Sequence, residues 1–130
     1  MALLKEEVFV CLDCEATGLE TSEDKIIELA AVKFTFENTI AETQTLVNPL
    51  CAIPAKSQAI HNISIDMVQN KPPIEQVLPP LLRFIGQHIL VGHGILFDIL
   101  IIQAEAKRHN IPCNIANNVY IDTLRLARLY

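Results

Sequence analysis

Asp13 and Glu15 stand two positions apart at the end of an apolar run, Val8-Phe9-Val10-Cys11-Leu12. Residues i and i+2 of a strand point to the same face, so the two carboxylates project together. Like charges in an apolar setting are costly to desolvate, and each raises the pKa of the other. Two readings follow. Either the strand ends near Leu12 with both carboxylates solvated, or the pair shares a divalent cation. Hard oxygen donors of this kind suit Mg2+ or Mn2+. A third carboxylate, Asp98, closes the stretch Val91-Gly92-His93-Gly94-Ile95-Leu96-Phe97-Asp98. There a short strand enters a Gly-flanked turn, and Asp98 falls in the first turn of the next helix. An acid at that place is ordinary helix chemistry, favoured by the dipole. A strand laid beside the first would also bring Asp98 near Asp13.

The elements that must position these groups show in the periodicity. Residues 8–15 form a nearly continuous apolar run rich in β formers, the pattern of a strand buried on both faces. A loop containing Gly18, Glu20 and Ser22 interrupts it. Residues 26–36 read as a longer strand, residues 37–38 as a hairpin turn and residues 40–47 as an alternating outer strand. Short connections between them predict an antiparallel meander. Residues 51–73 read as loop around short helical turns, with Ser64 an N-cap for residues 65–68. Val77, Leu78, Leu81, Leu82 and Ile85 give residues 74–86 helical spacing, and Pro79-Pro80 predicts a kink or a restart there. Residues 89–91 form a short buried strand, and residues 97–110 a helix with Lys107 and Arg108 near its C-terminal end. Residues 119–121 are a further strand, and residues 122–130 open a last helix. The order βββαβαβα predicts an α/β fold, in which a three-stranded antiparallel meander continues through parallel strands into a mixed five-stranded sheet flanked by helices.

A chain of 130 residues makes one domain, spanning 1–130, and its 51% hydrophobic content supports one core. No apolar run approaches the roughly 18 to 20 residues of a membrane span. Lys5, Glu6 and Glu7 interrupt the only candidate signal-peptide core. Cys11, Cys14, Cys51 and Cys113 lie at irregular spacings, as reduced thiols of a cytoplasmic protein do. A zinc site does not follow from Cys11 and Cys14, which face opposite sides of one strand and have no second such pair. The formal net charge of −5 argues against a basic nucleic-acid-binding face. An acidic protein still handles a polyphosphate when divalent cations bridge its carboxylates to the phosphate.

The ordered motifs carry a resemblance. Asp13-Cys14-Glu15-Ala16-Thr17-Gly18-Leu19 resembles the first motif, Asp-x-Glu-x-Thr-Gly, of the DEDD (DnaQ-like, DEDDh-type) 3′–5′ exonucleases, the family of the DNA polymerase III epsilon proofreading subunit. Residues 24–32 are similar to that family's second strand, and Ala59-Ile60-His61-Asn62-Ile63-Ser64 to its Ile-His-Gly-Ile-Thr loop. Residues 91–98 resemble the second motif, His-Asn-x-x-Phe-Asp. Residues 121–128 resemble the Asp-Thr-Leu-x-Leu-Ala-Arg segment. The resemblance implies a ribonuclease H-like fold and a two-metal site, with Mg2+ or Mn2+, that hydrolyses phosphodiesters from a 3′ end. It implies that Asp13 and Glu15 hold the ion that activates water and that Asp98 holds the second. It further implies that Thr17, Gly18 and Leu19 meet the terminal nucleotide, Leu19 packing on the base, and that His61 lines the same pocket. The implied partners are a single-stranded 3′ end of DNA or RNA and a DNA polymerase subunit, in proofreading or repair, with no membrane.

The sequence departs from that family in three places. Gly94 stands where the family has Asn, and Asn62 where it has Gly; Asn tolerates the left-handed conformation. The third motif, His-x-x-x-x-Asp, which supplies a general base and a fourth metal-binding carboxylate, does not appear. All four histidines, at 61, 88, 93 and 109, precede Asp122. Asp122 itself reads as an N-cap rather than a ligand, and His109 as a surface residue. Loss of a general base typically costs on the order of 10² to 10⁴ in rate. These 130 residues alone are therefore expected to be weakly active or inactive, and a longer chain carrying the motif to be an exonuclease. The competing expectation is a non-catalytic module that binds nucleic acid or a polymerase, which would not be stabilised by Mn2+.

Overall fold

A computed structural model describes residues 4–129. The final residue of the helix expected over 122–130 lies outside them. β1 (Phe9–Ala16), β2 (Ile26–Phe34) and β3 (Thr39–Leu46) form the expected antiparallel meander. β4 (Ile89–Gly92) runs parallel to β1, and β5 (Tyr120–Asp122) runs parallel to β4. The sheet order is β3-β2-β1-β4-β5, a mixed five-stranded sheet.

Five helices join and cover these strands: α1 (Ala55–His61), α2 (Ile65–Val68), α3 (Ile74–Ile85), α4 (Ile95–Arg108) and α5 (Thr123–Leu129). Val10, Leu12, Leu29 and Ala31 of the sheet are buried against Leu78, Leu81 and Ile85 of α3 and Ile95, Ile99 and Ile102 of α4. Ile27, Ile63 and Val68 make a smaller cluster under α1 and α2. Among the described residues, no helix is long and apolar enough to cross a membrane.

Three local differences from the sequence reading have physical causes. β1 is not buried on both faces: Val10, Leu12, Cys14 and Ala16 point into the core, while Cys11 and Asp13 are exposed and Glu15 half-buried. Alternation was masked because Cys11, on the open face, is apolar. α3 runs unbroken through Pro79 and Pro80 instead of restarting. The two prolines deprive the carbonyls of Glu75 and Gln76 of their helical donors, and both of those residues are exposed to water. α4 begins at Ile95, two residues earlier than its periodicity shows, because Gly94 turns the chain at a φ of 75°. Asn62 likewise adopts the left-handed conformation that its position requires (φ 59°) and ends α1.

Candidate active site

β1 and β2 place the first two acids. Their register sets Asp13 opposite Ala30 and Glu15 opposite Glu28, so three carboxylates share the open face of the sheet. Burial pushes the Asp13 carboxyl above its usual range, and the neighbouring Glu28 pushes it further. Glu15 is also raised, by partial burial and then by Asp13. These shifts are those of carboxyls partly withdrawn from water beside like charges.

Asp98 reaches the same strand from beneath. Pairing of β4 with β1 stops at Cys11–Val91, so the β1 edge beyond it has no ladder partner on that side. The Cys14 N–H points there and donates to Asp98 Oδ1 at 2.9 Å. Gly92 permits this approach, since a Cβ there would lie 2.9 Å from the Leu12 carbonyl oxygen. Asp98 is only 3% exposed. Burial raises its carboxyl to about 7, against the downward pull of its bonds from Cys14 and with a further rise from Asp13. The Cys14 thiol, fully inside, is pushed well above its usual range by burial and by Asp98.

The loop after β1 builds the neighbouring wall. Thr17 is buried, and its hydroxyl donates to Asp24 Oδ1 at 2.9 Å while accepting the Lys25 N–H at 3.0 Å. The Thr17 N–H donates to the Lys25 carbonyl, so both of its polar groups serve the loop itself. Leu19, by contrast, is 85% exposed. From α1, Ser57 donates to the Thr17 carbonyl and tethers the helix that carries His61. His61 Nδ1 accepts the Ile63 N–H at 3.0 Å, which leaves the ring proton on Nε2. That nitrogen is buried and has no partner among the described residues. Glu15, Gly18, Leu19 and His61 together line one cleft of about 80 Å3, closed by Ile60 and Phe97. A larger cavity of about 750 Å3, between Leu82, Arg83 and the segment from Asn110 to Val119, contains none of the carboxylates. Chemistry, not size, locates the site.

Asp122 is an N-cap, as its sequence position indicates. Its Oδ1 accepts the Leu124 N–H at 3.0 Å and the Gly94 N–H at 2.9 Å. The Gly94 bond foremost holds its carboxyl below the usual range. His109 is partly covered rather than fully exposed, 3.6 Å from Glu75 at the far end of α4. Sequence reasoning missed Asp24, Glu28 and Glu105. Glu28 needed the β1–β2 register to be known. Asp24 could be found only as the partner of Thr17 across a folded loop. Glu105 left a usable trace, an acid seven positions after Asp98 on the same helical stripe.

The donor set fits a divalent cation by type: Asp13, Glu15 and Asp98 offer carboxylate oxygens only, the ligands of Mg2+ and Mn2+. All three carboxyls are raised above their ordinary range, which a nearby cation would reverse. As they stand, no three His, Cys, Asp or Glu side chains among the described residues converge to hold one ion.

The exonuclease family model of RNase T type matches residues 10–130. The DNA polymerase III PolC-type protein of Caldanaerobacter subterraneus subsp. tengcongensis is 37% identical over 123 residues, 95% of this chain and 9% of that protein. The PolC-type protein of Thermotoga maritima is 38% identical over the same length and the same shares. The chain therefore spans less than a tenth of the curated relatives it matches. Among solved structures, exonuclease X in complex with 5′ overhanging duplex DNA aligns with a TM-score of 0.70 at 29% identity, covering 93% of this chain and 63% of that one. Apo exonuclease I aligns with a TM-score of 0.83 at 16% identity, covering 94% and 30%, and shares the ribonuclease H-like fold.

Proposed function

This chain belongs to the RNase T-type exonuclease family, and from that membership we propose that it is a DEDD-type exonuclease domain. It removes nucleotides from a single-stranded 3′ end of DNA, or of RNA, with two divalent cations. The observation that carries this reading is the cleft lined by Glu15, Gly18, Leu19 and His61, on the strand that also carries Asp13 and whose Cys14 N–H is accepted by Asp98. Residues 10–130, which the family model matches, belong to one such domain. The PolC-type relatives support a replication polymerase as its partner.

Each residue has a physical task. Asp13, Glu15 and Asp98 would hold the cations. Bound cations would lower the pKa of an attacking water and offset charge on the phosphoryl oxygens in the transition state. Leu19, exposed and apolar, packs on the terminal base. The partnerless Nε2–H of His61 donates to a phosphate oxygen, the acceptor that a nucleotide would bring into the cleft. Thr17 keeps the wall in place through Asp24.

The test is direct. Mn2+ at a hundred times its Kd is expected to stabilise the chain by about 2.7 kcal/mol, and not to stabilise Asp13→Asn. A 5′-labelled single-stranded oligonucleotide is expected to shorten slowly from its 3′ end in Mn2+, and to stay intact with the variant. No Mn2+ response with an intact oligonucleotide would overturn the nuclease reading and favour the binding module.

A further inference from the structure

We propose that Glu105 and Arg108 are positioning residues that clamp the β1–β2 loop and thereby set how the terminal nucleotide is seated against Gly18 and Leu19. The proposal rests on the reading of the cleft as the nucleotide site.

The buried stripe of α4 runs Ile95, Asp98, Ile99, Ile102, Glu105 and Ala106. Its two acids lie seven residues apart, two helical turns, and so face the sheet together. They perform the same act on neighbouring strands. Asp98 accepts the Cys14 N–H of β1, and Glu105 Oε2 accepts the N–H of Ile26, the first residue of β2, at 3.1 Å. The other Glu105 oxygen pairs with Arg108 Nη1, one turn on. Arg108 Nη2 then donates to the Ser22 carbonyl at 3.2 Å. The loop of residues 17–25 is therefore pinned at Ser22 and again at its exit.

Inside the loop the pinning is passed on. Asp24 accepts the Thr17 hydroxyl and, at 2.8 Å, the Glu20 N–H. Gly18 lies so near that a Cβ there would be 2.4 Å from Asp24 Oδ2. A shift of Asp24 is thus felt directly at Gly18. Leu19 has almost no packing of its own and takes its position from its neighbours.

A merely structural reading of the pair is the weaker one. Glu105 is 1% exposed among Ile101, Ile102 and Ala106, where a well-packed apolar residue is commonly as stabilising as an ion pair or more so. An apolar residue could not accept the Ile26 N–H or aim Arg108 at Ser22.

The test uses the double variant Glu105→Gln/Arg108→Met, which keeps an acceptor for Ile26 and leaves no buried charge unpaired. Arg108→Lys, which keeps the charge, serves as the conservative control. With labelled oligothymidylate in Mn2+, the double variant is expected to raise KM about tenfold with kcat within about twofold. Amide exchange at Glu20 and Asp24 should quicken with it, while Arg108→Lys stays closer to the unaltered chain. A folded double variant with unchanged KM and unchanged loop exchange overturns the clamp. So does a loss confined to kcat. An unaltered chain that neither binds nor shortens the oligonucleotide overturns the nuclease reading instead, and the proposal with it.

Discussion

Asp98 is the residue whose surroundings say most about the site. An exposed aspartate titrates near 3.8, but burial brings Asp98 to about 7 despite the bonds it accepts from Cys14. A carboxyl raised on folding is protonated in the native chain over the window between those two values. Its contribution to stability is present in full below 3.8 and is lost as pH rises through about 7. Without added metal, that loss amounts to a few kcal/mol on the order of 1.4 per pKa unit. Asp98→Asn keeps an oxygen for the Cys14 N–H and removes the titration. Urea denaturation at pH 5 and pH 8 should therefore find the variant the more stable at pH 8 and nearly flat between the two. Parallel profiles for both chains would mean that burial does not set this titration. The same variant should respond less to Mn2+. The placement of Asp13, Glu15 and Asp98 about β1 was legible in the sequence because a two-residue spacing on a strand and an acid in a first helical turn are local facts. Asp24 and Glu28 were not, because each acquires its role only from a residue brought to it by the fold, and Glu105 left only its helical spacing from Asp98 as a trace.

At the scale of elements, the antiparallel meander and the two long helices followed from hydrophobic period alone, and the differences fell where backbone chemistry overrode it. α3 is the clearest case. Two prolines in a helix interior argue for a break, yet Leu78, Leu81 and Ile85 bury one stripe that only a continuous helix can present to the sheet. Burial of such side chains is worth roughly 1.5–3 kcal/mol each, enough to carry a missing hydrogen bond. Pro80 is the exposed member of the pair. Replacing it with Ala restores an N–H to the Gln76 carbonyl and a better helix former. Part of that gain is returned through the freer unfolded chain. Pro80→Ala is accordingly expected to stabilise the protein by about 1–2 kcal/mol, read as a rise in the urea midpoint at constant slope. A lower midpoint would show that the Pro80 ring, which lines a cavity together with Leu81, Phe84 and Thr43 of β3, packs more than it strains.

At the scale of the whole molecule, the sheet has a strong side and a weak one. β1 and β2 are eight and nine residues long and lie at its centre. β5 has three residues, two of them exposed, and α5 follows it with its side chains largely in water. Yet the weak side holds one end of the site. Asp122 Oδ1 takes the Gly94 N–H just before α4 and the Leu124 N–H in α5, and His93 Nδ1 lies 3.2 Å from the Thr123 hydroxyl. The turn that aims Asp98 is thus anchored to β5 and α5. Asp122→Ala removes both bonds from one oxygen at once. Amide exchange should quicken at Gly94, Leu124 and the first turn of α4, while β1 and β2 keep their protection. The same quickening should begin to appear in the unaltered chain as pH falls far enough to protonate Asp122, whose carboxyl the Gly94 bond holds low. If exchange in the first turn of α4 does not change, the burial of Ile95 and Ile99 is sufficient to place Asp98, and the β5–α5 end is not coupled to the site.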